Sequence, residues 1–396
     1  MANLFFVVTV RHPEGERLPI LLDADRQPVV WINLYILKRL RRRLSFNSLL
    51  KVTRILGFIY AWSLRQKFSL RERLESGNGL TQNEIDSLCS WLRRNFRTAD
   101  AVRSLAVAPS SVKSRLDVAR QFVDWHFNAA ISARPVGSND IKDIRAKQTA
   151  CKQMFADAAK GRTQSSEHAK ALLEPETRRL LAICEVDSPE NPWKRPCRVR
   201  NRLIIHLMLA LGLRRGELLK LRTSDCHLTR AIPEIRVERS PDDDDDPRIN
   251  EPQVKTESRH LPCERQLARD LHQFICVTRR ETRLADRMPF LFLSRTGLPL
   301  SLNRVNGIVS QIGLRHPEFA DLHPHCLRST CATDFKETAR RRGLDESDID
   351  KDMQTFFGWR SDQSIAPYVE GATRREAAEI GLAYQQSLFG SASEAS

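Results

Sequence analysis

The stretch HPHCLRSTCATDF, residues 323–335, is the most informative part of this 396-residue chain. His325 and Arg328 are three positions apart, so a helix presents both side chains on one face. Leu327 and Cys331 are apolar or small and can pack behind that face. The pattern predicts a packed helix that offers two hydrogen-bond donors to one anionic group. A helix start capped by a histidine is the alternative interpretation.

The same stretch contains four potential zinc ligands. They are His323, His325, Cys326 and Cys331. Zinc ligands recur at characteristic spacings, and these positions match no standard set. The nine cysteines of the chain also include no CxxC pair, which argues against a disulfide framework. The sequence therefore predicts no metal site and a reducing, cytoplasmic environment.

The stretch LGLRRGELL, residues 211–219, contains Arg214 at a predicted turn between two helices. Glu217 follows one helical turn later and can orient the guanidinium group of Arg214. A guanidinium group held in place can donate to two oxygens of one phosphate. A surface arginine in a leucine-rich helix is the alternative.

The stretch VKTESRHLP, residues 254–262, contains a lysine where two short strands are predicted to turn. The ammonium group of Lys255 can donate a proton to a departing oxygen atom. A lysine at a hairpin is more often simply solvated, so this stretch by itself indicates little.

The stretch FFGWRSDQSIAPYV places Trp359 and Tyr368 nine residues apart. Gly358 is predicted to end the preceding helix. The indole N–H of Trp359 is a neutral donor, and the hydroxyl of Tyr368 can act as a nucleophile. A free phenol has a pKa of about 10, so nearby cations are needed to lower its pKa and to stabilise the charged transition state.

These residues form a set of donors around one potential nucleophile. The set comprises Arg214, Lys255, His325, Arg328, Trp359 and Tyr368, with Glu217 as support. None of the donors needs to carry negative charge. Such a set suits a phosphate diester that gains negative charge while its phosphorus is attacked.

The composition is that of a basic globular protein, with 41% apolar and 29% charged residues, a formal charge of +15 and an isoelectric point of about 9.7. The length favours two domains. The charge favours a polyanion such as DNA as partner, and a merely solvated basic surface is the alternative. The N-terminal run NLFFVVTV is a poor signal peptide, and no stretch approaches the length of a membrane span.

Hydrophobic periodicity and composition divide the chain into five segments. Residues 1–30 are expected to form a β-hairpin or an extended arm, 31–130 a compact unit of four or five helices, and 131–174 a partly helical linker. A mixed α+β domain is expected over 175–388, followed by a disordered tail over 389–396.

The predicted fold class is mainly α with a small antiparallel β-sheet. One helix is predicted to follow Thr81, which with Glu84 has the spacing of a capping box. The other helices are predicted near residues 32–44, 45–65, 110–127, 176–186, 196–212, 264–285, 301–314, 324–340, 346–357 and 372–387. Strands are predicted near residues 233–239, 251–255 and 258–263.

Two further features concern charge. The run Asp242–Asp246 is expected to form the tip of a solvated loop, because consecutive carboxylates rarely make a metal cage. Two basic segments are candidates for contacts with the phosphates of DNA, with a solvated face as the alternative. They comprise Lys38, Arg39, Arg41, Arg42 and Arg43 in the first segment and Lys113, Arg115 and Arg120 in the second.

The motifs resemble those of the tyrosine recombinase (phage integrase) family, and they occur in the family's order. GLRRGEL resembles its Gly-Leu-Arg-x-x-Glu-Leu box, and KTESRHLP resembles its lysine in a β-turn before a strand that ends in proline. His325 and Arg328 match its His-x-x-Arg motif, and the Gly-Trp pair precedes Tyr368 at the family's spacing. The resemblance covers about residues 176–386, with a weaker one over 31–130.

The resemblance implies a helical core-binding domain and a catalytic domain that close around duplex DNA as a two-domain clamp. It implies that Tyr368 attacks the scissile phosphate and leaves a 3′-phosphotyrosine and a free 5′-hydroxyl. The two arginines and the histidine would hold the phosphate with help from the tryptophan, Glu217 would support Arg214, and Lys255 would protonate the leaving oxygen. No cofactor and no metal are implied, because cationic side chains stabilise the charge and the phosphotyrosine keeps the bond energy.

The resemblance further implies double-stranded DNA as partner and a homo-tetramer in which the helix near 372–387 docks on a neighbouring subunit. An accessory DNA-bending protein is a further candidate partner, and the expected location is the cytoplasm, at the nucleoid. The expected function is site-specific integration or excision of a mobile element. A type IB topoisomerase-like relaxing enzyme and a DNA-binding regulator without catalysis are the alternatives.

Overall fold

The computed structural model describes residues 4–96, 107–160 and 171–359. The chain divides into two compact units, Met1–Ser166 and Glu167–Ser396. Helices dominate the described part of both units, and each unit contains a small antiparallel sheet. The architecture is therefore mainly α with small antiparallel β-sheets, which confirms the predicted fold class.

The first unit begins with a β-hairpin and continues with helices. Its elements are β1 (Phe5–Arg11), β2 (Arg17–Asp23), α1 (Val30–Tyr35), α2 (Phe46–Ser63), α3 (Leu70–Glu75), α4 (Gln82–Leu92), α5 (Pro109–Ser132) and α6 (Asp140–Ala159). A π-helical turn, Ile36–Leu40, extends α1. The helix predicted over 32–44 therefore ends at Leu40, and the last three basic residues of its sequence follow in a turn.

The N-terminal hairpin packs on α2 instead of extending as an arm. Its strands pair from Phe5 opposite Asp23 to Arg11 opposite Arg17. The ring of Phe5 lies so close to α2 that a Cβ atom on Gly57 would be 2.3 Å from it. A glycine at this position of the helix therefore allows the hairpin to dock.

The predicted linker, 131–174, contains the helix α6, and this helix packs in the core of the first unit. Ile144, Cys151 and Phe155 of α6 are buried among residues of the other helices. Their spacings of seven and four residues place them on one face of the helix. Most other α6 positions are polar, so the apolar stripe is narrow, and composition alone suggested a linker.

The second unit contains seven α-helices within its described residues 171–359 and a three-stranded sheet. Its elements are α7 (Glu174–Cys184), α8 (Arg195–Ala210), α9 (Arg215–Lys220), β3 (Cys226–His227), β4 (Glu234–Val237), β5 (Arg259–Pro262), α10 (Arg265–Gln273), α11 (Leu302–Arg315), α12 (Pro324–Arg341) and α13 (Glu346–Phe357). The strands are antiparallel in the order β3-β4-β5, with Ile235 opposite both Cys226 and Leu261.

Two predicted elements of this unit differ from the observed ones. The segment 251–255 is not a strand, and Lys255 therefore does not lie in a hairpin turn. Pro252 lacks the N–H that a strand ladder needs, and the segment packs on a helix instead. The helix predicted over 264–285 ends earlier, because α10 passes into a π-helical turn, Phe274–Thr278.

α8 forms the centre of the second unit. Leu203, Ile204, Ile205, Leu207 and Met208 are all fully buried. A helix that is apolar around most of its circumference must be covered on several sides, and α7, α9, α10 and α12 supply that cover. Among the described residues of the whole chain, none of the helices combines the length and apolar character that crossing a bilayer requires.

Candidate active site

The turn between α8 and α9 forms the first part of the site. Gly212 has a φ of 55°, a conformation that favours glycine. A Cβ atom at this position would also lie 2.4 Å from Cε1 of Phe357. Glycine is therefore required here, and the turn places Arg214 at the N-cap of α9.

Glu217 is the residue on which the other parts of the site converge. Its side chain is fully buried, and one carboxylate oxygen accepts from the backbone N–H of Arg214 at 3.0 Å. Nη1 of Arg214 lies 3.5 Å from the other oxygen, while 32% of the Arg214 side chain stays exposed. Arg214 is therefore held from behind and remains accessible to a ligand.

Two residues that follow Lys255 also bind Glu217. The Thr256 hydroxyl donates to Oε1 at 2.6 Å, and Nη2 of Arg259 donates to Oε2 at 2.9 Å. Burial alone would raise the pKa of the Glu217 carboxyl, but Arg259 and Arg328 hold this pKa below its ordinary value. Glu217 is therefore an ionised carboxylate that can fix several donors at once.

Arg328, on α12, also lies beside the carboxylate of Glu217. Its buried side chain donates to the carbonyl oxygens of Gly212 and Phe357, the latter at 3.2 Å. Nη1 of Arg328 also lies 3.9 Å from Oε2 of Glu217. The structure thus brings the two predicted arginines, Arg214 and Arg328, to one carboxylate although they are far apart in the sequence.

Trp359 packs over the guanidinium group of Arg328. The helix α13 ends at Phe357, and Gly358 caps it with a φ of 62°, which confirms the predicted helix end. The indole of Trp359 stacks on the ring of Phe357 at a centroid distance of 4.8 Å. The guanidinium carbon of Arg328 lies 5.5 Å from the centre of the indole. A cation is attracted to an aromatic face, so Trp359 helps to position Arg328.

His325 lies on the same helix as Arg328, and its side chain is exposed. Partial removal from water, followed by the charges of Arg328, His323 and Arg214, lowers the pKa of His325 below its ordinary value. A neutral imidazole has one nitrogen that donates and one that accepts. His323 instead caps α12, because its Nδ1 accepts from the backbone N–H of Cys326 at 3.3 Å.

The remaining two predicted residues are Lys255 and Tyr368, and only Lys255 lies within the described residues. Lys255 is exposed and directly precedes Thr256, which binds Glu217. The backbone of Lys255 is therefore tied to the site. Tyr368 lies outside the described residues, as does the helix predicted near 372–387.

Arg259 belongs to the site but is absent from the predicted set. It binds Glu217 and Thr256, and its Nε donates to the carbonyl oxygen of Phe356 at 2.8 Å. Side chains along β5 alternate between buried and exposed, which puts Arg259 on the inward face with Leu261. This alternation is the signal in the sequence, because an arginine at an inward position needs a buried partner.

The run Asp242–Asp246 is only in part the solvated loop tip that the sequence predicts, because Asp244 and Asp245 are exposed while Asp243 and Asp246 are buried. Asp243 and Asp246 are only 7% and 0% exposed. Asp243 binds Lys220 at 2.7 Å, and Asp246 binds Arg248 at 2.7 Å. Buried carboxylates are tolerated when cations compensate them. A local run of aspartates cannot reveal that Lys220, 23 residues from Asp243, folds against it.

The two basic segments proposed to contact DNA lie in the first unit. All five basic residues of the first segment are exposed, and Arg41 among them is paired with Glu16 through two hydrogen bonds, one of 2.5 Å. In the second segment, Arg115 donates to the carbonyl oxygens of Leu92 and Arg94 at 2.6 and 2.8 Å. Arg115 therefore ties α5 to the end of α4, and the contacts of both segments with DNA stay predictions.

The sequence matches the model of the phage integrase family over residues 170–375. A relative among characterised proteins is the tyrosine recombinase XerC of Xanthomonas axonopodis pv. citri (strain 306), which is 24% identical over 271 residues. That alignment covers 67% of this chain and 79% of the relative.

Two solved structures share the fold. The XerH site-specific recombinase, bound to palindromic difH substrate in a post-cleavage complex, is 16% identical with a TM-score of 0.56 and covers 88% of this chain and 84% of its own. The Tn1549 transposon integrase, in complex with transposon right end DNA, is 13% identical with a TM-score of 0.53 and covers 89% and 98%. Because the family match spans more than half of the chain, this protein belongs to the phage integrase family of tyrosine recombinases, enzymes that cleave and rejoin DNA strands.

Proposed function

We propose that the protein is a site-specific recombinase that acts through a 3′-phosphotyrosine intermediate and serves the integration or excision of a mobile element. The observation that supports this most is the convergence of Arg214 and Arg328 on the buried carboxylate of Glu217. Two guanidinium groups held beside one carboxylate are suited to one phosphate. The segment of Lys255 is tied to the same carboxylate through Thr256.

In the proposed reaction, the phenolic oxygen of Tyr368 attacks the scissile phosphorus. The bond from phosphorus to this oxygen forms while the bond from phosphorus to the 5′ oxygen breaks. Lys255 gives a proton to the leaving 5′ oxygen, and a neutral His325 accepts the phenolic proton. A 5′-hydroxyl from a second DNA strand reverses these steps, so the strand is resealed without an external energy source.

The arginines act on the charge that develops in this step. Arg214 and Arg328 donate to the non-bridging oxygens, whose negative charge grows as the phosphorus becomes five-coordinate. Their positions are set before the substrate binds, because the guanidinium group of Arg214 contacts Glu217 and that of Arg328 donates to the carbonyl oxygen of Gly212. Loss of one such donor costs about 100- to 1,000-fold in rate in enzymes with comparable anion sites.

Double-stranded DNA is the proposed partner. The solved relatives support this, because XerH and the Tn1549 integrase were both captured on DNA. The first unit serves as the core-binding domain and the second as the catalytic domain of a clamp around the duplex. Four copies assemble on paired recombination sites, and an accessory DNA-bending protein is a further candidate partner.

The test is covalent trapping. The purified protein is incubated with fragmented DNA of the source organism and denatured with detergent, and the DNA that stays attached is sequenced. This maps the cleavage site. Tyr368→Phe should reduce the attached DNA by at least about 1,000-fold, since it removes the nucleophile. Tyr384→Phe, the nearest other tyrosine in the sequence, is the matched control and should retain the attachment.

Attachment of DNA to Tyr368→Phe, or attachment through a 5′ phosphate, would contradict the proposal. Relaxation of a supercoiled plasmid that lacks the mapped site separates recombination from a topoisomerase activity. A recombinase should leave that plasmid supercoiled under conditions in which it cleaves the mapped site. Efficient relaxation of the plasmid without the mapped site, equal to that of a plasmid that carries it, would favour the topoisomerase.

A further inference from the structure

The segment 251–256 lies along α9 without strand pairing. At one end of this contact, Thr256 donates to Glu217 at 2.6 Å. In the middle, the two backbones approach so closely that a Cβ atom on Gly216 would lie 2.3 Å from the carbonyl oxygen of Gln253. Such a close fit leaves the segment little freedom to slide along the helix.

The other end of the contact is a buried ion pair. Lys220, the last residue of α9, is 5% exposed and donates to Oε1 of Glu251 at 2.7 Å. Its Nζ also donates to Asp243 at 2.7 Å and lies 3.8 Å from Asp246. Glu251 in turn accepts from the backbone N–H groups of Asp242 and Asp243 at 3.1 and 3.2 Å. The aspartate run therefore folds over the pair and closes it off from solvent.

Lys220 is the cation at the centre of a cluster of three buried carboxylates. Its buried carboxylates belong to Asp243, Asp246 and Glu251, and Lys220 is within 4 Å of all three. Glu217 and Lys220 are three residues apart, so they lie on one face of α9. Both polar contacts with the segment thus start from the same helical face, and they set its position along the helix.

We propose that Lys220 and Glu251 are positioning residues, which fix the segment 251–256 on α9 so that the ammonium group of Lys255 reaches the leaving 5′ oxygen. The inference rests on the proposed function, because it concerns the proton donor of that reaction. The helix α9 then positions two groups of the proposed site. Arg214 lies at its start, and Lys255 lies on the segment that it holds.

The chemistry of the leaving group makes the inference testable. With a natural phosphodiester, the 5′ oxygen leaves as an alcohol after it takes a proton from Lys255. When sulfur replaces the bridging 5′ oxygen, the bond between phosphorus and sulfur breaks and a thiolate leaves. A thiol has a pKa of about 8.5 and is a far stronger acid than an alcohol, so its anion leaves without a proton donor. A defect in proton donation should therefore vanish on the sulfur substrate.

The experiment compares single-turnover cleavage of two duplexes that carry the mapped site, one with the natural phosphodiester and one with the 5′-bridging phosphorothiolate. The variants are Lys220→Gln and Glu251→Gln, with Lys255→Ala as the reference for loss of the donor. Asp244→Asn is the matched control, because Asp244 belongs to the same acidic run but is exposed. Thermal unfolding of each variant is recorded alongside.

Both glutamine variants should cleave the phosphodiester about 100-fold more slowly than the unsubstituted protein, the effect of misplacing a reacting group by about 1 Å. On the phosphorothiolate their loss should shrink to less than about threefold, as for Lys255→Ala. Asp244→Asn should cleave both duplexes at the normal rate. Equal losses on the two duplexes, or no loss on either, would overturn the inference.

If the glutamine variants do not fold, Glu251→Asp decides, because it keeps the charge and withdraws the carboxylate by one methylene. It should lose about tenfold on the phosphodiester and recover on the phosphorothiolate. An equal loss on both would again overturn the inference. A wild-type protein that forms no covalent complex with either duplex would overturn the proposed function itself.

Discussion

At the scale of a single residue, the burial of Glu217 explains why cations and hydrogen-bond donors surround it. A carboxylate buried to this degree is stable only when cations and donors compensate it. Arg259 and Thr256 donate to it directly, and Arg328 lies 3.9 Å away. The spacing of three residues links Glu217 to Arg214 in the sequence, but the other partners come from distant segments.

His126 is a buried histidine whose titration should affect stability. It is 5% exposed and surrounded by the rings of Trp31, Phe122 and Trp125. Burial, opposed by a weaker effect of Glu75, lowers the pKa of His126 from 6.5 to about 4. The folded protein thus disfavours the protonated form, and the unfolded chain accepts the proton at higher pH.

The stabilising contribution of neutral His126 is therefore complete above pH 6.5 and is lost as the pH falls towards about 4. Between about pH 7.5 and about pH 4.5, the protein should lose about 2 kcal/mol more unfolding free energy than the His126→Phe variant. Urea unfolding followed by tryptophan fluorescence measures the difference. His12→Phe, at a side chain that is 59% exposed, is the control for replacing a histidine by phenylalanine outside the core. If the unfolding free energy of His126→Phe depended on pH in the same way as that of the unsubstituted protein, the prediction would be contradicted.

At the scale of secondary-structure elements, helices with local signals were predictable, whereas the core packing of α6 was not, because the sequence predicts only a partly helical linker there. In α4 the backbone N–H of Thr81 donates to the carboxylate of Glu84 at 2.8 Å, which confirms the predicted capping box. In α6 the apolar positions are sparse, and its existence depends on packing against α5. Local hydrogen bonds are encoded within a few residues, whereas packing depends on a partner helix.

Arg259 joins three elements, and its loss should destabilise the second unit. It lies on β5, donates to Glu217 on α9 and to the carbonyl oxygen of Phe356 at the end of α13. Arg259→Ala would leave a buried carboxylate and a backbone carbonyl with fewer donors. We expect a loss of about 3 kcal/mol in unfolding free energy, the usual cost of removing one partner of a buried ion pair.

Chemical denaturation of the full chain measures this effect. Arg269→Ala is the matched control, because Arg269 is exposed on α10 and its side chain contacts Gln266 on the same helix. An exposed substitution of this kind should change the unfolding free energy by less than about 0.5 kcal/mol. Equal losses of unfolding free energy for Arg259→Ala and Arg269→Ala would show that the contacts of Arg259 do not stabilise the second unit.

At the scale of the whole molecule, the net charge of +15 should make DNA binding strongly dependent on salt. The logarithm of the affinity for a short duplex should fall linearly with the logarithm of the salt concentration. Replacing both Arg42 and Arg43 by glutamine should flatten this slope by about 1.8, if each contacts one phosphate. Fluorescence anisotropy with a labelled duplex measures the slope.

Arg41→Gln is the control for this measurement. Arg41 stands next to Arg42 in the sequence, but its guanidinium group is already paired with Glu16 of the N-terminal hairpin. Its replacement should change the slope by less than about 0.5, because few counterions are released by a compensated charge. A slope that is the same in the wild type and in the double variant would remove this segment from the DNA contacts.

The sequence by itself determined the fold class and the family, and it predicted a set of donors around Tyr368. These depend on signals that lie within a few residues of one another, such as the His-x-x-Arg spacing on α12 or the glycine that ends α13. Such signals reflect helical geometry and local hydrogen bonds, which need no distant partner.

Only the tertiary structure decided how the charged groups are compensated. The burial of Asp243 and Asp246, the contact of Arg259 with Glu217 and the place of Lys220 at the end of α9 all join segments that are distant in the chain. A charge can be buried only where an opposite charge folds against it, and the energy of that pairing depends on distance and on exclusion of water. Neither quantity can be read from the order of residues along the chain.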